Sequence, residues 1–263
     1  MLSFKDQLNR TITFKQTPKR IVSLVPSQTE LIVDLGLEDS LIGVTKFCVH
    51  PKHLRQQKAI VGGTKQVNID KIKALKPDVI LCNKEENTKA MITELEQIAP
   101  VHLSDIYTID DSLELINSYG KLFDKTLEAK QMVNAIQDKH HCFKTSIEGR
   151  SKLKVAYFIW KNPWMVAANH NFIHSMLQLN NFENVFQNLT RYPEIKLSEL
   201  KEKQPDVILL SSEPYPFKPK DVEALALEFP NTTIKIVDGE AFSWYGSRLL
   251  KAFDYFKVLH STL

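Results

Sequence analysis

Lys76-Pro77-Asp78-Val79-Ile80-Leu81 occurs again as Gln204-Pro205-Asp206-Val207-Ile208-Leu209. Each copy reads as the start of a buried parallel strand. Proline opens it because its missing N–H falls before the ladder begins. The aspartate that follows can bond local backbone amides. Each copy also trails an amphipathic helix: Ile69 and Ile72 in the first are matched, at the same offset, by Leu197 and Leu200 in the second. The offset holds past the strand, where Glu85 falls on Glu213. Pro-Asp before a hydrophobic strand is a common idiom of α/β chains. Helix, strand and acidic loop repeated at one offset point further, to two related lobes.

Upstream of the first copy, residues 1–19 read as an edge hairpin or arm, with period-two alternation at Thr11-Ile-Thr-Phe14. Arg20-Ile-Val-Ser-Leu-Val25 is a short buried strand that stops at Pro26-Ser27, and a helix opens from Gln28 and ends at Gly36. Leu41-Ile-Gly-Val44 and Ala59-Ile-Val61 are further strands, and Asn68 caps the helix before the first Pro-Asp. Strands alternating with helices predict a mostly parallel sheet with helices on both faces.

The middle of the chain differs. Asp111-Ser-Leu-Glu114 reads as a capping box, and Asp124 as the cap of a helix from Lys125 to about Glu148. That stretch holds no Pro or Gly, and at the α-helical rise it spans about 36 Å. It is the natural connector. The alternation then restarts with Lys154–Trp160 as a strand, and a final helix is expected from Ala241 through Leu259. The predicted fold is therefore α/β, with an N-terminal lobe (residues 1–123), a connecting helix (124–149) and a C-terminal lobe (150–263).

Composition narrows the function classes. The net charge is +3, from 34 basic and 31 acidic residues, which gives no electrostatic case for nucleic acid. Cys48, Cys82 and Cys142 are odd in number and form no C-x-x-C pair, so neither a disulfide framework nor a zinc knuckle is expected. No stretch approaches a membrane span. The polar amino terminus lacks an apolar segment with a cleavage site, so the chain reads as cytoplasmic if Met1 is its native start. Gly62-Gly63-Thr64-Lys65 lacks phosphate-loop spacing, with Gln66 where the hydroxyl should stand. No nucleophile elbow or dinucleotide fingerprint occurs, and an enzyme is not expected.

In parallel sheets ligands sit beyond the carboxyl ends of the strands. The loops there carry Pro26 and Ser27, Phe47, Cys48 and His50, then Trp160 and Trp164, and last Trp244, Tyr245 and Arg248. All three tryptophans fall in second-lobe loops, where flat aromatic faces suit a macrocycle or an aromatic chelate. Trp160 has a second reading, as the inward-pointing end of a core strand. Cys48 and His50 either line a pocket or, two residues apart, ligate a soft or borderline metal. His170 and His174 have chelating spacing but no evident partner. His140 and His141, adjacent on a helix, face different directions.

In the order and spacing of Arg20–Glu30, Ile69–Ile80, Pro205–Ile208 and Phe242–Arg248, the chain resembles the substrate-binding proteins of ABC importers for cobalamin, haem and ferric siderophores. The cobalamin-binding branch matches best. The resemblance runs from about Arg20 to Leu259. It implies two α/β lobes joined by one rigid helix, a largely preformed inter-lobe cleft, a ligand-facing Arg248, and one acidic residue per lobe that docks on the membrane subunit. Glu85 and Glu213 hold the repeat-related positions, with Glu86 a near rival. Where the cobalamin branch has aromatic residues after the first Pro-Asp strand, this chain has Asn83-Lys84-Glu85. The expectation is a monomeric importer-type binding protein with no intrinsic cofactor. Its ligand would be a metal chelate: cobalamin or another corrinoid, haem, or a ferric siderophore. A cytoplasmic corrinoid or metal-chelate carrier or sensor, uncoupled from a transporter, is the alternative.

Overall fold

A computed structural model describes residues 2–263; Met1, part of the expected arm, lies outside the described residues. The chain divides into two compact lobes. The first comprises Met1–Gln137 with Tyr245–Arg248, and the second Asp138–Trp244 with Leu249–Leu263.

The first lobe opens with an antiparallel hairpin of β1 (Leu2–Lys5) and β2 (Thr11–Phe14). There follow β3 (Ile21–Ser23), α1 (Pro26–Asp34), β4 (Leu41–Val44), α2 (Leu54–Gln57), β5 (Ala59–Ile60), α3 (Ile69–Leu75), β6 (Val79–Asn83), α4 (Lys89–Leu95), β7 (Val101–Ser104) and α5 (Ile109–Leu122). Its sheet is parallel, in the order β5-β4-β3-β6-β7. The connecting helix α6 (Thr126–Ser146) carries the chain from one lobe into the other.

The second lobe holds β8 (Leu153–Trp160), β9 (Met165–Val166), α7 (Phe172–Leu179), β10 (Phe182–Asn184), α8 (Leu197–Lys203), β11 (Val207–Ser211), α9 (Pro219–Glu228), β12 (Thr233–Val237), α10 (Gly239–Ser243) and α11 (Leu249–His260). Its strands run β10-β8-β11-β12, all parallel, with β9 antiparallel on β8. Each lobe is thus a mostly parallel sheet with helices on both faces, and one long helix joins them.

The repeated Pro-Asp does the same work twice. The Asp78 carboxylate accepts the amides of Lys19 and Arg20 at 2.9 and 3.0 Å, while its own N–H donates to the Arg20 carbonyl at 2.8 Å. In the second lobe the Asp206 carboxylate accepts the Lys154 amide at 2.7 Å, and its N–H donates to the Lys154 carbonyl at 2.8 Å. Each aspartate therefore sets the register of its strand against the neighbouring one, β6 on β3 and β11 on β8. Lys76 and Gln204, ahead of the two prolines, take left-handed φ of 49° and 47° and end α3 and α8 alike. Ile72 and Leu200 are fully buried, one in each core.

Three local expectations need correcting. The capping box of α5 is Thr108 with Asp111, not Asp111 with Glu114: the Thr108 hydroxyl accepts the Asp111 amide at 3.1 Å, and the Asp111 carboxylate returns to the Thr108 amide at 2.8 Å. Asp124 adopts a left-handed φ of 57° in the turn between α5 and α6, and the connecting helix begins at Thr126. The final helix is not continuous from Ala241. It stops at Ser243, a short 3₁₀ turn covers Gly246–Arg248, and α11 starts afresh at Leu249.

That interruption has a cause. Tyr245–Arg248 packs into the first lobe against α1. The Tyr245 hydroxyl accepts from Gln28 Nε2 at 2.9 Å, the Gly246 amide donates to Ser112 Oγ at 2.8 Å, and Arg248 Nε donates to Glu30 Oε2 at 2.8 Å. Gly246 has φ of 82°, a left-handed conformation that a side chain would strain, and a Cβ there would lie in ordinary contact with Leu31. Glu30 and Arg248 are both buried. Arg248→Met would take the cationic partner from the buried Glu30 carboxylate, at an expected cost of about 3–5 kcal/mol in urea unfolding. Adding Glu30→Leu should recover much of that loss. A single variant as stable as the parent would show that the pair does not hold this segment.

His102, on β7, is almost fully enclosed, and neither ring nitrogen has a hydrogen-bond partner. Tyr119 meets the ring edge-on at 5.1 Å, and burial lowers its pKa from 6.5 to about 4, against the pull of Asp6 and with the push of Arg10. Above pH 6.5 the imidazole is neutral in both folded and unfolded chains. As pH falls from about 6.5 to about 4 only the unfolded chain takes up the proton, so stability declines across that window, by about 3 kcal/mol. His102→Leu should flatten the pH dependence of unfolding free energy by that amount, measured between pH 7 and pH 4. Identical profiles for parent and variant would show that the folded protein accepts the proton.

Candidate ligand-binding site

The strand order of each sheet reverses once, and the crevice outside the carboxyl ends at that reversal is where open α/β sheets bind ligands. In the first lobe the chain steps from β3 out to β4 and β5, then returns to place β6 on the other side of β3. The bordering loops are those after β3 and β6.

The loop after β3 is tightly packed. Pro26 starts α1, where a missing N–H costs nothing, and Ser27 and Gln28 are buried with it. The loop after β6 is an Asx-type turn: Asn83 Oδ1 accepts the Glu85 and Glu86 amides at 2.8 and 3.1 Å. Glu85 is half-buried, and its carbonyl accepts Lys65 Nζ at 2.5 Å. Lys84 pairs with Asp105 at 2.6 Å and lies 6.0 Å from the Tyr107 ring centre; the Asp105 hydrogen bond raises its pKa. Tyr107, in the loop after β7, was not anticipated, because Val101–Ser104 is too short a run to stand out as a strand.

Phe47 is the exposed aromatic of this lobe, at 48% exposure, with Lys46 Nζ 5.1 Å above its ring. Cys48 turns the other way. It is fully buried, its Sγ 3.1 Å from Thr29 Oγ1 and 3.3 Å from Thr45 Oγ1, and burial pushes its pKa up, which keeps the thiol protonated. His50 is half-buried two residues on, and His53 pairs with Glu38 at 2.7 Å. Among the described residues no group of three or more His, Cys, Asp or Glu is placed to hold a metal ion.

In the second lobe the reversal lies between β8 and β11. Trp160 ends β8 and points outward, 38% exposed. Tyr215, in the loop after β11, meets it edge-to-face at 5.6 Å. The row continues inward: Tyr215 on Phe217 at 4.7 Å, and Phe217 stacked on Trp164 at 6.1 Å with planes 7° apart. Trp164, expected at a ligand, is half-buried against the core and covered by Lys161, whose Nζ pairs with buried Asp221 at 2.6 Å. The pairing of Tyr215 with Trp160 was hidden because the two residues lie far apart in the chain. The aromatic-Pro-aromatic run at Tyr215–Phe217 was the available signal.

Trp244 is buried too. Its indole Nε1 donates to Glu213 Oε1 at 2.9 Å, and Ser243 Oγ donates to the same oxygen at 3.0 Å. Burial raises the Glu213 pKa, and these two bonds oppose the rise. Tyr245 and Arg248 face Gln28 and Glu30, as described. His170 is exposed, whereas His174 is buried with Nδ1 3.3 Å from Asn184 Nδ2, and burial lowers its pKa.

Residues 21–228 match the periplasmic binding protein family. A Bacillus subtilis protein named "Uncharacterized ABC transporter substrate-binding lipoprotein YvrC" is 27% identical over 221 residues, 79% of this chain and 68% of the relative. The vitamin B12-binding protein of Pectobacterium atrosepticum is 25% identical over 249 residues, 89% of this chain and 86% of the relative. In fold, the crystal structure of the periplasmic vitamin B12 binding protein BtuF of Vibrio cholerae superposes with a TM-score of 0.80. It is 21% identical, and the alignment covers 93% of this chain and 98% of that one. The family match takes in both Pro-Asp strands and the long helix between them, and the chain belongs to the periplasmic binding protein family.

Proposed function

We propose that this chain is the substrate-binding protein of an ABC-type importer and that it holds a metal-containing small molecule: a corrinoid such as cobalamin, haem, or a ferric siderophore. The observation that carries this reading is the Trp160–Tyr215 pair at the strand-order reversal of the second lobe, with the indole exposed. An exposed indole braced from the side presents a rigid apolar face at low entropic cost, which suits a broad, flat or apolar ligand. Phe47, in the loop after β4, is the exposed aromatic the first lobe offers. The relatives' names, a substrate-binding lipoprotein and vitamin B12-binding proteins, support binding without turnover. Glu85 and Glu213 remain the repeat-related candidates for contact with a membrane subunit. Glu213 would have to serve while bonded to Trp244 and Ser243.

The test is a titration of the purified chain with cyanocobalamin, haemin and ferric siderophores, followed by absorbance and thermal shift. One of these should raise the melting temperature. Trp160→Ala and Phe47→Ala should each weaken that ligand by about tenfold, the scale of one lost apolar contact surface, and leave the unliganded melting temperature in place. No shift with any of the three chelate classes would remove the reading.

A further inference from the structure

We propose that Gln28 is a positioning residue: through Ser104 and Asn83 it fixes where the loop after β6, with Glu85 and Glu86, stands at the reversal point of the first lobe. The functional weight of this proposal rests on reading that loop as part of the binding face.

Gln28 is fully enclosed, and its amide has two donors and one acceptor to satisfy. Nε2 reaches Ser104 Oγ at 2.6 Å and the Tyr245 hydroxyl at 2.9 Å, with the Cys82 carbonyl farther off at 3.4 Å. Oε1 accepts the Tyr119 hydroxyl at 2.5 Å. The orientation of the amide is therefore determined, since a flip would set Oε1 against the Cys82 carbonyl. Ser104 is filled in turn: its Oγ accepts from Gln28 and from Asn83 Nδ2, the latter at 3.0 Å, and donates to the Cys82 carbonyl at 3.3 Å. Asn83, held by its Nδ2, aims Oδ1 at the Glu85 and Glu86 amides. The Asn83 amide donates to Asn87 Oδ1 at 2.7 Å, and Asn87 Nδ2 reaches the Thr64 carbonyl at 2.8 Å. The path thus ends in two carboxyl-end loops, those after β5 and β6.

Apolar groups in place of Gln28 and its partners together would serve the core about as well, because a satisfied buried amide gains little net stability, whereas removing Gln28 alone takes away the acceptor of the buried Tyr119 hydroxyl. What a fully satisfied polar network adds is a single geometry. Gln28 has the partners such a role needs, and they lead outward to the loop.

Amide hydrogen exchange reads this directly, with Gln28→Met, Asn83→Ala and the double variant. Asn83→Ala should accelerate exchange at Glu85 and Glu86 by about a hundredfold beyond any change at Ile80 in the sheet core. Gln28→Met should accelerate the same two amides selectively, and the double variant should add nothing to Asn83→Ala. Asn83→Asp keeps the acceptor but loses the Nδ2 donor to Ser104, so it should restore protection only in part. Uniform acceleration across the lobe, or additive effects in the double variant, would overturn the proposal and leave Gln28 a packing residue. If Gln28→Met does not fold, Ser104→Ala interrupts the same path and is read by the same amides. None of these readouts needs a ligand, so a failure of every chelate to bind would sink the functional reading and leave this one standing on exchange alone.

Discussion

Glu30 carries a carboxylate into the interior of the first lobe, and Arg248 meets it at 2.8 Å. A buried charge without a partner costs several kcal/mol, so wherever α1 folds, this arginine has to follow. The consequence is visible in the chain's path. Four residues from the C-terminal half belong to the first lobe. The helix that would have run on from Ala241 is broken, and Gly246 supplies the positive φ where the backbone turns against Leu31. Trp244 and Tyr245, neighbours in sequence, answer to different lobes: one donates to Glu213, the other accepts from Gln28. A segment rich in groups that suit ligand contact is engaged in holding the fold.

This explains which parts of the molecule could be read in advance. The two lobes and the parallel strands were legible because their signals are local. Proline, aspartate and an apolar run within six residues set a strand, and the aspartate's partners lie on the adjacent strand that the fold class already supplies. The orientation of Arg248 and Trp244 was not legible. Arg248 and its acceptor Glu30 are 218 positions apart, and no periodicity in either segment announces the other. Cys48 failed similarly as a ligand candidate: it lies in a carboxyl-end loop, but Thr29 of α1 and Thr45 hold the thiol inward. A loop's location follows from topology, whereas the direction of its side chains depends on distant partners.

The repeat persists in chemistry after it fades in sequence. Asn83 and Ser211 end the strands after the two Pro-Asp motifs, at matching positions. Each offers a side-chain oxygen to the amide two residues on, Glu85 at 2.8 Å and Glu213 at 3.4 Å. The two turns are closed by the same local device with different residues. Beyond that point the lobes diverge. The first builds its reversal point from amides and hydroxyls around Gln28, and the second builds its own from a row of aromatic rings ending at Trp160.

That divergence bears on what each lobe could offer a ligand. A saturated polar network holds a loop in one place but has few free groups to offer a ligand. A ring braced edge-on by its neighbour keeps a face exposed and loses little freedom when covered. On the binding reading proposed above, the second lobe would offer a ligand apolar area at Trp160. The first lobe would offer loops of fixed geometry, with Phe47 as its exposed aromatic.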